Sequence, residues 1–572
     1  MSSSGDRAIY NDNIENEVPT KPFINKEKQI IYDLNQGVYS GSQIQFSTAS
    51  LQSGSGKWID FQNSYIEIPF TYAMKSDADI SAISNQYMMG LKNGSIQLVD
   101  SIVLQYNGTQ IAQQSAFTNI QRNFRILNEF TLEDFKTWGP STFVSTDNVL
   151  SSRYSAGASP YGDGVSNNTV SMPTGQTPTL LRTNTFETNY GYEERLKFVQ
   201  NGASAVNGFS AMTPSDLAYK GQSYYAETTG AAAAKVYVWQ CLLTLRLKDL
   251  HDFFNHIPLI KGGRIDLIIN FNSANGSITT AAGPPITLVN GSYSQTAGRS
   301  NPVMMSSAVA TGGTVPYPSQ PLAGVSGLIT WGCGINGVSG VPVLAGLQSP
   351  FFQNCRWYVD VYEMNSEYES QLIAANPTKT IYYNDFYTYT SITNVSGSTQ
   401  AVLSAGVKNP KYLIMVPVIN SVQYTTAGLV TPQQNIFDSF PGTLGGAPNV
   451  GITNLQVFVG GKNLFPLISQ YSWQNYLDEV STLYGVNGGK SIMTSGMLSY
   501  RQWVNNPVYV ADLGRRLPAD DASSKSISVS FTVSGKSPQN AATAAALDFI
   551  CFVVYGRSAT FNMLNGNLVD AQ

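Results

Sequence analysis

The sequence predicts an all-β protein built from two similar domains, and three observations lead to this prediction. The chain of 572 residues is 42% hydrophobic and only 12% charged, so it can bury more than one core. Glycine (50 residues) and proline (27) are abundant, and nine Asn-Gly pairs, which favour tight hairpin turns, recur along the chain. Apolar residues also alternate with polar ones in both halves, as in strands with one buried face.

The first part of the chain divides into an arm and a domain. Residues 1–55 are polar and show no sustained period, so we expect an extended N-terminal arm. The strand pattern begins at Trp58, and we assign residues 56–365 to the first domain. Within it, residues 140–235 and 273–350 are dominated by small and polar residues and are expected to form long loops.

Short helices interrupt the strand pattern. Apolar residues follow helical rather than alternating spacing in three segments, at residues 117–127, 247–257 and 473–484. A further helix is predicted after the strand at 356–362, because Ser366 and Glu369 form a capping box and Pro377 follows. We place the domain boundary at this helix, so the second domain covers residues 366–572.

The two halves share a local arrangement. Residues 104–111 can be laid on residues 457–464, because each segment is a strand, a glycine turn and a new apolar residue, followed by one of the helical segments. Asn107-Gly108 and Gly460-Gly461 supply the turns, in which a two-residue connection between twisted strands requires positive φ. This repeated arrangement predicts a duplicated domain.

A second pair of segments supports the duplication. Residues 245–250 resemble residues 508–513. The glycine turn and the aspartate of these segments are 141 residues apart in the first half (Gly108 to Asp249) and 51 in the second (Gly461 to Asp512), so the first copy carries about 90 extra residues. A common scaffold with enlarged loops explains the difference, since loops tolerate insertions.

The chain offers little chemistry for an enzyme, and we expect no catalytic residue, metal or cofactor. Its two histidines, His251 and His256, are five residues apart, which on a helix separates them by about 140° rather than stacking them as a metal pair. We expect them to border a structural turn. Acid pairs such as Glu193-Glu194 lie in polar context and are expected to be solvated surface. Gly460-Gly461-Lys462 lacks the spacing of a phosphate-binding loop.

Charge and segment lengths bear on the surroundings of the protein. The net charge is −4 without a basic tail, so specific nucleic acid binding is not expected. The N-terminal residues lack the apolar run of a signal peptide, so we expect the chain to stay in the cytosol. The apolar residues 547–555 are too few to span a bilayer, and we expect them to form a buried strand. The four scattered cysteines are predicted to be reduced structural thiols.

Five stretches along the chain form a series of motifs: a strand with a glycine turn (103–111), a paired Phe followed by Pro-Leu and a basic-Gly turn (249–262), the last strand of a first domain (356–364), an early strand of a second domain (409–416) and a C-terminal turn (561–566). In this order they resemble motifs of the double jelly-roll major capsid proteins of the adenovirus and tectivirus lineage. In length and motifs the chain is most similar to the virophage and Polinton-like members. The positions that mark these motifs and the second glycine turn are Asn107, Gly108, Phe253, Phe254, Pro258, Gly262, Trp357, Pro410, Gly460, Gly461, Asn565 and Gly566.

The resemblance implies a fold and a structural function. It implies two consecutive eight-stranded antiparallel jelly rolls, and homotrimers that form pseudo-hexagonal capsomers in the icosahedral shell of a DNA virus. Part of residues 140–235 would form an outward tower, and the arm would lie under the shell or reach a neighbour. The resemblance further implies separate vertex proteins, minor or cement proteins, and assembly in the host cytosol or a virus factory. It is compatible with an inner membrane without requiring one.

A second function class remains open from the sequence. Exposed Tyr, Trp and Asn side chains would also suit a glycan-binding β-sandwich, such as a lectin or a viral fibre that binds a receptor.

Overall fold

The computed structural model describes the chain over residues 23–37, 39, 43–52, 56–76, 87–92, 94–144, 197–198, 222–227, 235–272, 274–280, 287–289, 302–307, 327–336, 354–419, 450–464, 470–484, 500, 503, 507–514, 523–537, 540–544 and 547–571. Antiparallel strands dominate these residues and form five sheets. The predicted tower lies largely outside the described residues.

The first half contains sixteen strands in the described residues: β1 (Phe23–Tyr32), β2 (Gln43–Ser47), β3 (Lys57–Ser76), β4 (Tyr87–Leu91), β5 (Val99–Tyr106), β6 (Thr109–Gln110), β7 (Lys197–Phe198), β8 (Gln222–Glu227), β9 (Lys235–Arg246), β10 (Ile260–Lys261), β11 (Ile265–Phe271), β12 (Ala274–Thr280), β13 (Thr287–Val289), β14 (Val303–Ser307), β15 (Gly327–Ile335) and β16 (Arg356–Met364). Its helices are α1 (Ala49–Gln52), a 3-10 turn (Ser95–Leu98), α2 (Thr118–Glu129), α3 (Leu132–Thr142), α4 (Leu247–Leu250) and α5 (Phe253–His256).

The second half begins with helix α6 (Ser366–Ala375). It continues with β17 (Thr378–Val395), β18 (Ser398–Val407), β19 (Pro410–Ile419), β20 (Val450–Val459), β21 (Lys462–Asn463), α7 (Trp473–Tyr484), β22 (Tyr509–Asp512), β23 (Lys525–Ser537), β24 (Asn540–Ala544), β25 (Leu547–Asn562) and β26 (Leu568–Ala571).

Both halves have the same sheet topology. In the first half, the strand orders are β1-β16-β3-β9 in one sheet and β2-β11-β5-β6 in the other. In the second half, the orders are β17-β25-β19-β22 and β18-β23-β20-β21. Each strand has its counterpart at the same position in the other half. Two four-stranded antiparallel sheets with these non-sequential neighbours are a jelly roll, so the predicted fold of two consecutive eight-stranded jelly rolls is confirmed.

Apolar side chains from the two facing sheets form the core of each barrel. In the first barrel, Trp357 of β16 contacts Phe46 of β2 and Phe61 of β3, each with ring centroids 5.8 Å apart. In the second, Phe531 of β23 contacts Phe549 of β25 at 4.7 Å. The residues of β25 from Leu547 to Val554 are all buried, as predicted for this strand, and the four cysteines are buried reduced thiols, also as predicted.

The prediction of an arm over residues 1–55 is wrong for residues 23–47. Strand β1 pairs with β16 from Phe23 opposite Met364 to Tyr32 opposite Arg356, and β2 pairs with β11. The hydropathy pattern does not reveal β1, because the strand lies at the edge of its sheet and only Ile31 of its ten residues is buried. Backbone hydrogen bonds hold such a strand without an apolar pattern. Residues 1–22 lie outside the described residues.

Part of the predicted loop regions is also strand. Within residues 273–350, strands β12, β13 and β15 extend the larger sheet of the first barrel beyond β3, and β14 pairs with β4. Strand β8, within residues 140–235, pairs with β9. Small and polar residues concealed these strands, because the sequence pattern there has little hydrophobic alternation.

The linking helix α6 lies where it was predicted, but its cap does not. The N-cap is Asn365, whose side-chain oxygen accepts a hydrogen bond from the Glu367 backbone N–H at 3.1 Å, so the capping box assigned to Ser366 is wrong. Asparagine caps a helix as well as serine does, and it stands one residue earlier. None of the ten described residues of α6 is buried.

Candidate functional site at the junction of the two domains

Helix α2 belongs to the first half of the chain but packs against both barrels. Ile126 and Leu127 join the hydrophobic core of the first barrel. Phe117 before the helix, together with Ile120 and Phe124 within it, joins the core of the second. One helix therefore fills space in two cores, because its two apolar faces point in different directions.

A buried hydrogen bond reinforces this contact. The hydroxyl of Tyr476, on helix α7, donates to the side-chain oxygen of Asn128 at 3.0 Å. The amide nitrogen of Asn128 donates to the Phe124 carbonyl at 2.7 Å, so both ends of this buried side chain are satisfied. The two helices that the sequence predicted at equivalent places in the two halves are thus in direct contact.

The second barrel in turn contributes to the core of the first. Ile381 and Tyr383 of β17, and Ala559 and Phe561 of β25, belong to the first hydrophobic cluster. Phe253 of α5 packs edge-to-face on Tyr383 at 5.4 Å between ring centroids and lies 6.2 Å from Phe561. Aromatic pairs at these distances add to the free energy of burial.

The C-terminal turn closes the same junction. The Tyr106 hydroxyl donates to the Gly566 carbonyl at 2.6 Å, and the Asn107 amide donates to the same oxygen at 3.3 Å. Gly566 has φ +66°, and a Cβ there would collide with the Lys261 carbonyl oxygen. A Cβ on Gly262, at φ +80°, would lie 3.0 Å from the Asn565 carbonyl oxygen. Glycine is therefore required on both sides of this contact.

A buried polar network lies next to the aromatic rings of Phe253 and Tyr383. His251 lies between α4 and α5, and its Nε2 is 3.4 Å from Oδ1 of Asp385 on β17. The Phe253 backbone N–H donates to Nδ1 of the same ring at 3.2 Å, which places the ring proton on Nε2, facing the carboxylate. The Asp385 carboxylate also accepts from the backbone N–H groups of Gln113 and Phe386, both at 2.8 Å, and from the side chains of Tyr555 (3.2 Å) and Arg557 (3.3 Å).

Burial controls the ionisation of this network. Burial lowers the pKa of His251, and the nearby Arg122 lowers it further, although the hydrogen bond to Asp385 opposes both effects. The ring is therefore neutral at pH 7. Burial alone would raise the pKa of Asp385, but the hydrogen bonds from His251 and from backbone N–H groups outweigh it and lower the pKa.

A second carboxylate binds across the junction. Asp252 forms an ion pair with Arg125 of α2 at 3.2 Å, and it accepts a hydrogen bond from the backbone N–H of Asn384, on β17, at 2.8 Å. Burial would raise the pKa of Asp252, but the Arg125 charge and the Asn384 hydrogen bond prevail and lower it. Arg122 is the third buried charged residue of this network. Its guanidinium carbon lies 5.2 Å from the centroid of the Phe386 ring, and burial lowers its pKa to about 10.

The segment between β6 and α2 runs along β17 and joins the barrels through the backbone. The Tyr383 hydroxyl donates to the Ile111 carbonyl at 2.9 Å, the Ser115 hydroxyl to the Phe386 carbonyl at 2.9 Å, and the Thr388 hydroxyl to the Ala116 carbonyl at 2.6 Å. Arg557 donates to the Ile111 carbonyl at 2.8 Å as well. Side chains of each half therefore bind the backbone of the other.

Five of the marked motif residues come together here. Asn107, Phe253, Gly262, Asn565 and Gly566 all lie at the junction, although they come from three motifs far apart in sequence.

The other marked residues lie elsewhere. Phe254 is fully buried and Pro258 is half-buried, while Trp357 lies in the first barrel core. Pro410 opens β19 opposite Tyr555. The remaining three form exposed hairpin turns with positive φ, at Gly108, Gly460 and Gly461.

Sequence reasoning missed the charged members of the junction: Arg122, Arg125, Asp385 and Arg557. Asp385 carried one local signal, since it is a lone acid in an aromatic strand that is otherwise uncharged from Ile381 to Tyr389. Its partners gave no signal, because His251 is 134 residues away in sequence and Arg557 is 172.

An open cleft of about 640 Å³ lies beside the junction. Its lining residues come from the segment after β6 and from three strands of the second barrel and their turns: Gln113, Gln114, Ser115, Ala116, Tyr382, Tyr387, Thr388, Gly406, Val407, Lys408, Asn409, Tyr555, Gly556, Arg557 and Ser558. The volume is within the range of small-molecule sites.

Two further properties are those of the described part of the chain only. Its His, Cys, Asp and Glu side chains form no group of three or more that could hold a metal ion. None of the helices there has the length and apolar character needed to cross a bilayer.

Comparisons with known proteins give structural matches only. No protein-family model and no curated protein sequence matches the chain. Among solved structures, a chain of the Sputnik virophage, determined by cryo-EM, is 13% identical with a TM-score of 0.43, and the match covers 96% of this chain and 89% of that one. A chain of the PBCV-1 virus capsid is 11% identical with a TM-score of 0.39, over 96% and 98%. The mavirus major capsid protein is 12% identical with a TM-score of 0.36, over 95% and 90%.

Proposed function

We propose that this chain is a major capsid protein whose homotrimers are the pseudo-hexagonal building blocks of an icosahedral virus shell. The observation that carries the proposal is the repeated strand order, in which one chain presents the same eight-stranded barrel twice. Three such chains around a threefold axis place six similar barrels in a ring. A closed ring of this kind suits a block that must fill a six-cornered lattice position.

The junction supports the same function. A shell subunit must keep its two barrels in a constant relation, since a lattice contact made by one barrel otherwise fails to orient the other. The shared helix α2, the buried carboxylates and the C-terminal turn all connect the barrels across buried surface. Weak contacts between such pre-formed blocks can sum to a stable shell.

The division of the chain follows from this proposal. The first jelly roll would begin at β1 and end before α6, and the second would run from α6 through β26, with residues 1–22 as the remaining arm. Part of residues 140–235 would supply an outer tower. Separate vertex and minor or cement proteins would complete the virion, in which this chain forms the shell.

The mass and shape of the purified full-length protein test the proposal. Mass photometry is expected to find trimers of 186 kDa, three times the chain mass of 62.0 kDa, and negative-stain electron microscopy is expected to show hexagonal particles. A stable 62.0 kDa monomer at micromolar concentration, with no hexagonal particles or shells, would overturn the proposal.

A further inference from the structure

We propose that the cleft beside the junction binds an acidic oligosaccharide through a carboxylate-bearing sugar. This binding function goes beyond shell building and does not depend on it. Positive charge, aromatic ring surfaces and hydrogen-bonding groups line the cleft and suit such a ligand.

The charge of the lining is positive. Arg557 and Lys408 both line the cleft, and among the described lining residues none is an acid. The carboxylate that compensates Arg557 is Asp385, which is fully buried behind it at 3.3 Å. The positive end of this ion pair therefore faces the cleft, where it can attract an anionic group.

Arg557 is also held in place before any ligand arrives. Its Nη1 donates to the Ile111 carbonyl and to Asp385, and its Nη2 donates to the Gln110 carbonyl at 3.4 Å. Because these bonds fix the planar guanidinium, a carboxylate that binds it loses less conformational entropy than it would with a mobile side chain. The site is therefore preorganised for a planar anion.

Tyrosine rings supply the surfaces for sugar rings. Tyr382 is 71% exposed, an unusual state for so large a ring, while Tyr387 and Tyr555 form half-buried walls with centroids 6.2 Å apart. Such rings present an apolar face beside a polar hydroxyl, which matches the C–H faces and hydroxyls of a pyranose.

The remaining lining groups are mostly amides and hydroxyls, contributed by Gln113, Gln114, Ser115, Thr388, Asn409 and Ser558. The Ser115 and Thr388 hydroxyls already donate to backbone carbonyls and can only accept, whereas the other four groups offer both donors and acceptors, as sugar hydroxyls require. Among the described lining residues, Ala116 and Val407 are the only aliphatic ones, so the apolar surface of the cleft comes mainly from flat tyrosine rings, which suit the face of a sugar ring. These features favour a saccharide over an acidic peptide.

Binding of an acidic sugar can be tested by isothermal titration calorimetry of the purified full-length protein. The two ligands are 3′-sialyllactose and lactose, which lacks the acidic sugar. We expect saturable binding of sialyllactose at millimolar or lower concentration, and lactose weaker by about tenfold or more because the ion pair is missing. Lys408→Glu and Tyr382→Ala are each expected to weaken sialyllactose binding by about fivefold or more.

The matched control is Tyr32→Ala, which removes an exposed tyrosine of strand β1 that does not line the cleft. It should change the affinity by less than about twofold. Equal thermal stability of all variants would show that they are folded. Arg557 is not substituted, since it also binds the backbone of the first barrel.

Four results would overturn the proposal. They are no saturable binding of sialyllactose, equal affinity for lactose, equal loss of binding in the Tyr32→Ala control, and full competition by the same concentration of inorganic phosphate, which would indicate a general anion site. Tighter, Lys408-dependent binding of a peptide with the sequence of residues 8–20, which is acidic, would instead assign the cleft to this N-terminal segment of the chain. None of these results bears on trimer formation, which the mass measurement tests separately.

Discussion

Gly566 permits a close contact between the two domains that a residue with a side chain would prevent. Its carbonyl receives hydrogen bonds from Tyr106 and Asn107, and its missing side chain lets the turn approach the Lys261 carbonyl. Gly108 also has positive φ, at +82°, but a Cβ there would meet nothing within 4 Å. An alanine at position 108 would therefore introduce backbone strain alone, whereas an alanine at position 566 would introduce both backbone strain and a steric clash.

Gly566→Ala is therefore expected to destabilise the protein more than Gly108→Ala does. The Gly108 change should lower the free energy of unfolding by about 1–2 kcal/mol, the strain of a left-handed alanine. The Gly566 change should cost about 1–3 kcal/mol more, because the turn must also move away from the first barrel. Denaturant unfolding of both variants measures the difference, and equal losses would contradict the proposed close contact.

His251 makes stability depend on pH in a defined window. Its folded pKa lies below the ordinary value of about 6.5, so the unfolded chain binds one more proton below that pH and stability falls on acidification. The lowered pKa values of Asp252 and Asp385 act only at lower pH, because their contribution stays complete above the ordinary aspartate value near 4.

The expected result is a fall in melting temperature between pH 7.5 and 5.5 that is larger in the wild type than in His251→Gln. Glutamine cannot titrate, and the exposed His256 remains in both proteins as an internal control. An identical pH dependence of the two proteins would show that His251 does not carry the effect.

At the scale of elements, strand β1 shows that an exposed segment can still belong to a barrel. Lys26 forms an ion pair with Asp360 at 3.0 Å, and Lys28 lies 5.1 Å from the ring centroid of Tyr65. These contacts lie on the outer face of the sheet and add little each, since exposed ion pairs are weak. The ladder of backbone hydrogen bonds to β16 therefore holds the strand.

Helix α2 leads to a prediction about which barrel each of its faces supports. Phe124 belongs to the core of the second barrel and Ile126 to the core of the first, although they are two residues apart. Phe124→Ala should destabilise by about 3–5 kcal/mol and Ile126→Ala by about 2–5 kcal/mol. Hydrogen exchange should then accelerate in β19 and β22 for the Phe124 variant, and in β5 and β11 for the Ile126 variant.

Each variant is the control for the other. If hydrogen exchange accelerates in the same strands in both variants, the two faces of α2 do not support different cores.

At the scale of the whole molecule, the buried carboxylate of Asp385 connects the two barrels. Asp385→Asn keeps the shape but leaves Arg557 without its compensating charge and removes one of the three carboxylates near Arg122. Breaking a buried pair in this way typically costs about 3–5 kcal/mol. We expect this variant to unfold in two calorimetric transitions, because each barrel retains its own core while the junction between them is weakened.

The matched control is Asp266→Asn, which removes an exposed ion pair with Arg264 at 2.9 Å. It should lower stability by less than about 1 kcal/mol and leave the number of transitions unchanged. If the Asp385 variant unfolds in the same number of transitions as this control, the network does not hold the barrels together.

The sequence by itself determined the features that depend on near neighbours. Alternating apolar residues indicated an all-β chain, glycine pairs placed the turns at Asn107-Gly108 and Gly460-Gly461, and helical spacing placed α2 and α7. Each of these signals arises from backbone geometry or burial within a few consecutive residues, and the two halves repeat them in the same order.

Only the tertiary structure decided which distant segments meet. Strand β1 joins its sheet through β16, more than 300 residues later, and Asp385 finds His251 and Arg557 on elements far away in the chain. Backbone pairing at a sheet edge needs no apolar pattern, and a buried charge is compensated by whichever opposite charge the fold brings near it. Neither relation leaves a local trace, because both energies depend on distance in space rather than on separation along the chain.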